Sequence, residues 1–296
     1  IKNKLLVIFG LLVFAATTLL GILATNIARK AVMEKIESHL TDKAADVASV
    51  VDGRITAFFQ FLEGIARMPA LVDSAAAYSE KYALVKREAV VNKTVTNMDI
   101  LDKSGNLYAL DGTAISLNAE KYFQAAITGS RFLSEPFISK ISGTLILTFA
   151  VPVYDNDRTI NGVLIASILA EWLSDQIKDI VVGKTGSCYI LDRTGTTVAD
   201  MEKELVEKRA NTSEEAKKNP ALVSCGTFEQ KALNSSAPGF GYYTYSGTAN
   251  VSAFSRLKVK DWTVIISAPV NEFMETVNAL RLSMIGIGAV TLMIAL

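Results

Sequence analysis

The sequence predicts an α+β fold in which one long helix carries two similar small modules in tandem, with an uncharged apolar run at each end. Three observations point to it. Residues 5–27 and 282–296 hold no charged side chain. Between Val32 and Ile65 apolar residues recur in steps of three and four, the period of an amphipathic helix. Beyond position 95, short apolar runs alternate with turn clusters, and one strand–turn–strand sequence occurs twice.

The first run has 23 residues, enough at ~1.5 Å rise per residue to cross a hydrocarbon core of ~30 Å. A signal peptide would have an apolar region of only ~7–15 residues, so residues 5–27 read as a retained transmembrane helix. Lys2 and Lys4 precede it and Arg29 and Lys30 follow it, so flanking charge does not orient it. A long middle between two spans reads as extracytoplasmic, anchored in the inner or plasma membrane with both ends in the cytoplasm.

Residues 28–94 are expected to form a stalk helix and a shorter helix after it. The stripe Ile36, Leu40, Ala44, Val47, Val51, Ile55, Phe58 and Leu62 runs to the breaker Met68-Pro69. A helix of that length projects roughly 55–60 Å. One small domain would not cover such a stripe, which predicts a homodimer through the long helix; packing on its own chain is the alternative.

Strands are expected at 95–101, 106–110, 131–138, 144–154 and 160–169 in a first module, residues 95–181. In a second, residues 182–270, they fall at 187–191, 197–199, 242–245, 250–257 and 262–268. Helical stretches fall at 118–127, 171–181 and 201–218. The echo is Leu101-Asp102-Lys103-Ser104-Gly105-Asn106-Leu107-Tyr108-Ala109, recurring as Leu191-Asp192-Arg193-Thr194-Gly195-Thr196-Thr197-Val198-Ala199. Each copy is a hairpin built on an Asp-x-Ser/Thr-Gly turn. Residues 271–296 read as an exit helix and the start of a second transmembrane helix, with signalling partners in the cytoplasm reached through a region beyond it.

Thirty basic and thirty acidic residues leave no net charge, which removes any argument for nucleic acid. Cys188 and Cys225 are open to pairing outside the cell or to remaining buried thiols. No catalytic constellation is legible, because the single histidine, His39, lies on the stalk. Metal-ligand spacing is absent and no cofactor is implied. Gly183-Lys184-Thr185-Gly186 lacks the spacing of a phosphate loop and reads as a turn.

Several further motifs complete a pattern: Glu120-Lys121-Tyr122-Phe123-Gln124-Ala125-Ala126, Ser134-Glu135-Pro136-Phe137-Ile138-Ser139, Phe149-Ala150-Val151-Pro152-Val153, Gly162-Val163-Leu164 and Asp261-Trp262-Thr263-Val264. In this order they resemble the double-Cache (dCache) periplasmic sensing domain of bacterial methyl-accepting chemotaxis proteins. The resemblance covers essentially the whole chain. It implies two PAS-like (Cache) modules stacked along the long helix, the membrane-distal one holding a small-molecule ligand.

In amino-acid-binding members of that family an Arg before an aromatic pair grips the ligand carboxylate, and an Asp on a later strand holds its ammonium. The aromatic pair matches Tyr122-Phe123, but the Arg position is Glu120 and the Asp position is Ser167. A like charge where a guanidinium belongs disfavours an ordinary α-amino acid and favours an amine or cation. The expected site is Glu120, Tyr122, Phe123, Phe137, Thr148, Phe149 and Ser167. The function implied is a non-enzymatic chemoreceptor input that signals through the second membrane helix. The input domain of a sensor histidine kinase or diguanylate cyclase, or an interaction ectodomain without a ligand, are the alternatives.

Overall fold

The computed structural model describes residues 2–295 apart from Leu110, Asp111 and Ile141. One helix, α1, runs unbroken over Lys2–Ala66, joining the apolar run and the stalk into a rod of 65 residues, about 100 Å long. It stops where Pro69 pushes Met68 into an extended conformation. Two short helices follow, α2 (Pro69–Val72) and α3 (Tyr78–Val91).

The next segment comprises β1 (Val95–Leu101), β2 (Asn106–Tyr108), β3 (Ala114–Ser116), α4 (Lys121–Ile127), β4 (Phe132–Leu133), β5 (Phe137–Ile138), β6 (Leu145–Tyr154) and β7 (Ile160–Leu169). They form a sheet of order β1-β7-β6-β4, with β5 also on β6, while β2 and β3 pair separately. After α5 (Glu171–Asp175) come β8 (Ser187–Leu191), β9 (Thr197–Ala199), α6 (Lys203–Glu207), α7 (Thr212–Glu215), α8 (Val223–Asn234), β10 (Gly239–Tyr245), β11 (Thr248–Arg256) and β12 (Thr263–Pro269). Their sheet has the order β10-β11-β12-β8-β9. The run β8-β12-β11-β10 repeats the connectivity of β1-β7-β6-β4, as a duplicated unit requires. The chain leaves through α9 (Val270–Phe273) and α10 (Glu275–Ala295).

One face of each sheet packs on α1. Leu147, Phe149 and Leu164 of the first sheet and Ile190, Val264 and Ile266 of the second share a single core with the helical stripe from Leu40 to Ala66. Val47 and Phe58, on the stripe where a partner helix was expected, are 6% and 8% exposed. Two stacked sheets cover what one would not, so this stripe offers no free seam for a homodimer. Toward its N-terminus α1 instead exposes Leu19, Leu20, Leu23 and Ile27. It is the one helix among the described residues long and apolar enough to cross a membrane. The shorter apolar stretch Val277–Val290 of α10 runs antiparallel beside it, Gly21 facing Met284 and Gly288 facing Phe14.

The repeated turns match atom for atom. Asp102 Oδ1 accepts from the amides of Ser104 (2.8 Å) and Asn106 (2.9 Å), and Asp192 Oδ1 from those of Thr194 (2.8 Å) and Thr196 (3.0 Å). Gly105 and Gly195 close them at φ of 81° and 87°, where a side chain would be strained. Only the second copy is a hairpin in the sheet, β8 with β9. In the first, β2 leaves β1 and pairs with β3, a strand the sequence did not announce.

Other boundaries moved for local reasons. The expected strand 131–138 breaks into β4 and β5 around Ser134-Glu135-Pro136, since proline cannot donate to a ladder. The expected strand 106–110 ends at Tyr108 in the structure, and Leu110 lies outside the described residues. Helix 171–181 shrinks to α5, and 201–218 divides into α6 and α7 at Arg209, whose φ is 52°. Cys188 faces the α1 core while Cys225 on α8 packs against the opposite face of the second sheet, so the sheet separates the two free thiols.

Two polar contacts tie these parts together. Asp52 of α1 accepts from the amides of Lys258 (2.8 Å) and Val259 (2.9 Å), and the same loop reaches the first sheet through Lys260–Glu135 (2.9 Å) and Trp262 Nε1–Glu135 (2.6 Å). At the exit, the turn at Lys184 and Thr185 holds the Glu272 carboxylate by both amides, at 2.6 and 3.1 Å, and by the Thr185 hydroxyl. Lys184 Nζ pairs with Glu275 at 2.7 Å.

Phe59, fully buried against Phe149 at 5.0 Å between ring centroids, is expected to cost about 3–5 kcal/mol on truncation to Ala. Val50→Ala, on the exposed side of α1, should stay within ~0.5 kcal/mol. Denaturant midpoints of the two variants check the assignment of faces.

Candidate functional site

The face of the first sheet turned away from α1 is roofed by α4. Alternation along the strands decides which residues reach it. From β1 come Asn97, Asp99 and Leu101, from β7 Val163, Ile165 and Ser167, and from β6 Thr148 and Ala150. Tyr122 and Phe123 of α4, 7% and 3% exposed, press on Leu101, Val163 and Ile165, and Phe137 of β5 packs against the same cluster. Thr148 and Ser167 stand side by side in register with their hydroxyls 3.5 Å apart, and Asn97 stands opposite Ser167.

Five of the residues expected from the sequence are thus brought together: Tyr122, Phe123, Phe137, Thr148 and Ser167. Glu120 sits at the rim, at the N-terminus of α4, in a 3.3 Å pair with the exposed Lys140. Phe149 does not belong to this face. It neighbours Thr148 and so points the other way, into the stalk, 4.5 Å from the ring of Phe58.

The structure adds a charged centre. Asp99 is 4% exposed on the roofed face, with Lys86 Nζ at 2.5 Å from one carboxylate oxygen and Asn97 Nδ2 at 2.5 Å from the other. Lys86 comes from α3, also donates to Asn97 Oδ1 at 2.6 Å, and lies 4.9 Å over the ring of Tyr82. Burial, and then the negative charges of Glu120 and Asp99, raise the Tyr122 phenol well above its ordinary pKa, which keeps its hydroxyl protonated. Carboxylate, phenol, hydroxyls and aromatic walls form a set suited to an ammonium or other cation. The sequence signal for Asp99 was the period-two pattern Asn97-Met98-Asp99-Ile100, polar residues on one side of an otherwise buried strand. A separate recess of about 370 Å³, lined by Tyr78, Lys81, Lys103 and Asn161, opens beside the Asp102 turn, and none of the expected site residues lines it.

In the second sheet the face away from α1 is closed by α8, which carries Glu229, 2% exposed. One carboxylate oxygen accepts from Tyr189 (3.4 Å) and Cys225 (3.8 Å); the other has no hydrogen bond of ordinary geometry among the described residues, although the Thr212 side chain is near enough to favour the charged form. Burial pushes this carboxyl up to about 7, offset in part by the Thr212, Tyr189 and Cys225 side chains.

The model of the Cache domain, in its double form dCache_1, matches residues 24–277. The chain belongs to the Cache-domain family. Solved structures with the same fold include three chemoreceptor ligand-binding domains. That of Pseudomonas fluorescens CtaA in complex with L-isoleucine has a TM-score of 0.63 at 15% identity, covering 84% of this chain and 98% of that one. Pseudomonas aeruginosa PctB in complex with L-Arg gives 0.61 at 18%, covering 81% and 97%. Campylobacter jejuni Tlp3 in complex with L-valine gives 0.60 at 17%, covering 84% and 98%. No curated protein matches the chain.

In this Cache chain Glu229 makes a testable contribution to pH dependence. With a folded pKa of about 7 against an ordinary 4.5, the unfolded chain ionises first as pH rises, so this residue's contribution to stability falls across that window and is level above it. Asp200, raised to about 6 by burial, acts with the same sign. Glu229→Gln, which copies the protonated acid, should gain melting temperature relative to the parent as pH climbs from about 4.5 to about 7. A constant difference across the window would refute the assignment.

Proposed function

We propose that this chain is the extracytoplasmic sensor region of a transmembrane chemoreceptor, anchored by α1 and α10, and that its first sheet binds a small amine or cation. Residues 95–181 form the ligand-binding, membrane-distal module in this reading, and 182–270 the proximal one. The observation that carries it is Asp99, a carboxylate buried on the face that α4 roofs and held by a lysine from another element. The Lys86 ammonium sits where a ligand ammonium would sit. A ligand that takes over Asp99 must displace Lys86, so occupancy becomes a choice between two arrangements of α3 against β1. Glu120 at the rim opposes a ligand carboxylate. The solved neighbours, whose complexes hold L-isoleucine, L-Arg and L-valine, support a small ligand with an amine.

The signal then passes along the core shared by both sheets and α1 to the Glu272 clamp and α10. A homodimer of the long helix would use a face other than the buried stripe.

Calorimetric titration of the purified chain with small amines and with carboxylates of matched size tests the site. Asp99→Asn should weaken amine binding at least about tenfold, the worth of one charge-assisted hydrogen bond, while Lys86→Met should strengthen it by removing the competitor. Binding of carboxylates alone, lost with Lys86, would overturn the reading. Separately, Glu272→Ala should leave amine affinity unchanged and speed hydrogen exchange at the Lys184 and Thr185 amides, which lose their acceptor.

A further inference from the structure

Between α1 and α10, beneath the β10–β11 turn, lies an open cleft of about 890 Å³, within the range of small-molecule sites. It is divided by chemistry. Its lower half is walled by Phe14, Ile22, Met284 and Ile285, with Gly21 and Gly288 forming the furrow. Its upper half carries Arg29 and Arg281, flanked by Asn26 and Asn278.

The two guanidiniums line the cleft without an ion-pair partner, although the Arg29 charge reaches the Tyr242 phenol. Among the described residues neither Arg29 nor Arg281 makes an ion pair or hydrogen bond, and both are exposed. The nearby acids are engaged elsewhere: Glu272 in the turn at Lys184 and Thr185, Glu275 on Lys184, Glu34 near Lys30 and Glu37 on Tyr242. Arginines near the ends of membrane helices reach out to the interface, where phosphate headgroups supply a counter-charge. A second copy of the chain would bring the same two arginines to the seam and add to the repulsion.

We propose that this cleft binds an anionic glycerophospholipid of the surrounding leaflet, its phosphate held by Arg29 and Arg281 and an acyl chain lying along Ile22 and Met284. Arginine forks match phosphate oxygens bidentately, and basic recesses between membrane helices are suited to lipid headgroups. The site joins the two membrane helices just below the second sheet, so the bound lipid sets the spacing of α10 against α1. The inference rests on the membrane-anchored reading above.

The test uses the full chain reconstituted in vesicles of phosphatidylcholine alone and of equal parts phosphatidylcholine and phosphatidylglycerol, with lipid retained after detergent extraction read by native mass spectrometry. Phosphatidylglycerol should be retained over phosphatidylcholine about tenfold, falling to near parity in Arg29→Gln/Arg281→Gln, with Arg29→Lys/Arg281→Lys in between as charge is kept but the fork is lost. Equal retention of both lipids, a preference that survives the double Gln substitution, or displacement of the lipid by inorganic phosphate would each overturn the proposal. A chain that fails to float with vesicles of either composition would fail the membrane reading itself, a result distinct from floating without lipid preference.

Discussion

Burial of one helical stripe governs the architecture. The residues from Leu40 to Ala66 present an apolar line several turns long, and most of the stability of such an amphipathic helix comes from covering that face. Two sheets do so in succession, each giving up one face. That assignment leaves each sheet a second face to fill, and α4 and α8 fill them. Every later distinction, between side chains that hold the fold and side chains able to meet a ligand, follows from the strict alternation of a strand whose one side is committed to the spine.

Much of this was legible in the residues, because apolar period and turn chemistry are local. The bounds of β1, β7, β8 and β9 coincide with those expected, each a short apolar run closed by a turn cluster. What escaped was non-local. The long helix does carry a continuous stripe, but sequence alone does not say which surface covers it. β3 has three exposed residues and exists only because β2 turns away from β1. α8 mixes Cys225, Gly226, Phe228 and Glu229 on its buried side, a set too varied to read as an apolar face. On the roofed face, the motif led to Tyr122 and Phe123, which pack there, whereas the motif holding Phe149 led to the opposite face, because a motif does not track which side of a strand a residue lands on. Lys86 was invisible, since its partner lies on another element.

A net charge of zero conceals a deliberate distribution of charge. The first sheet buries a carboxylate and supplies a cation from a neighbouring helix. The second buries a carboxyl that pairs with no cation among the described residues, and burial raises its pKa to about 7. The N-terminal part of α1 and α10 do the reverse, presenting Arg29 and Arg281 with no ion pair among the described residues. In a low-dielectric setting an unbalanced charge is costly, so each imbalance marks a place where a proton or a counter-charge lowers the energy.

Asp52 gives the spine a mechanical consequence. Its carboxylate fixes the backbone of the loop that also grips Glu135, so helix, second sheet and first sheet are pinned at one height. A pin of this kind suppresses sliding of one sheet past the other while leaving rotation about it comparatively free. Relative motion of the two sheets is then a swing about a fulcrum rather than a slide, with the stretch of α1 below Asp52 as the long arm.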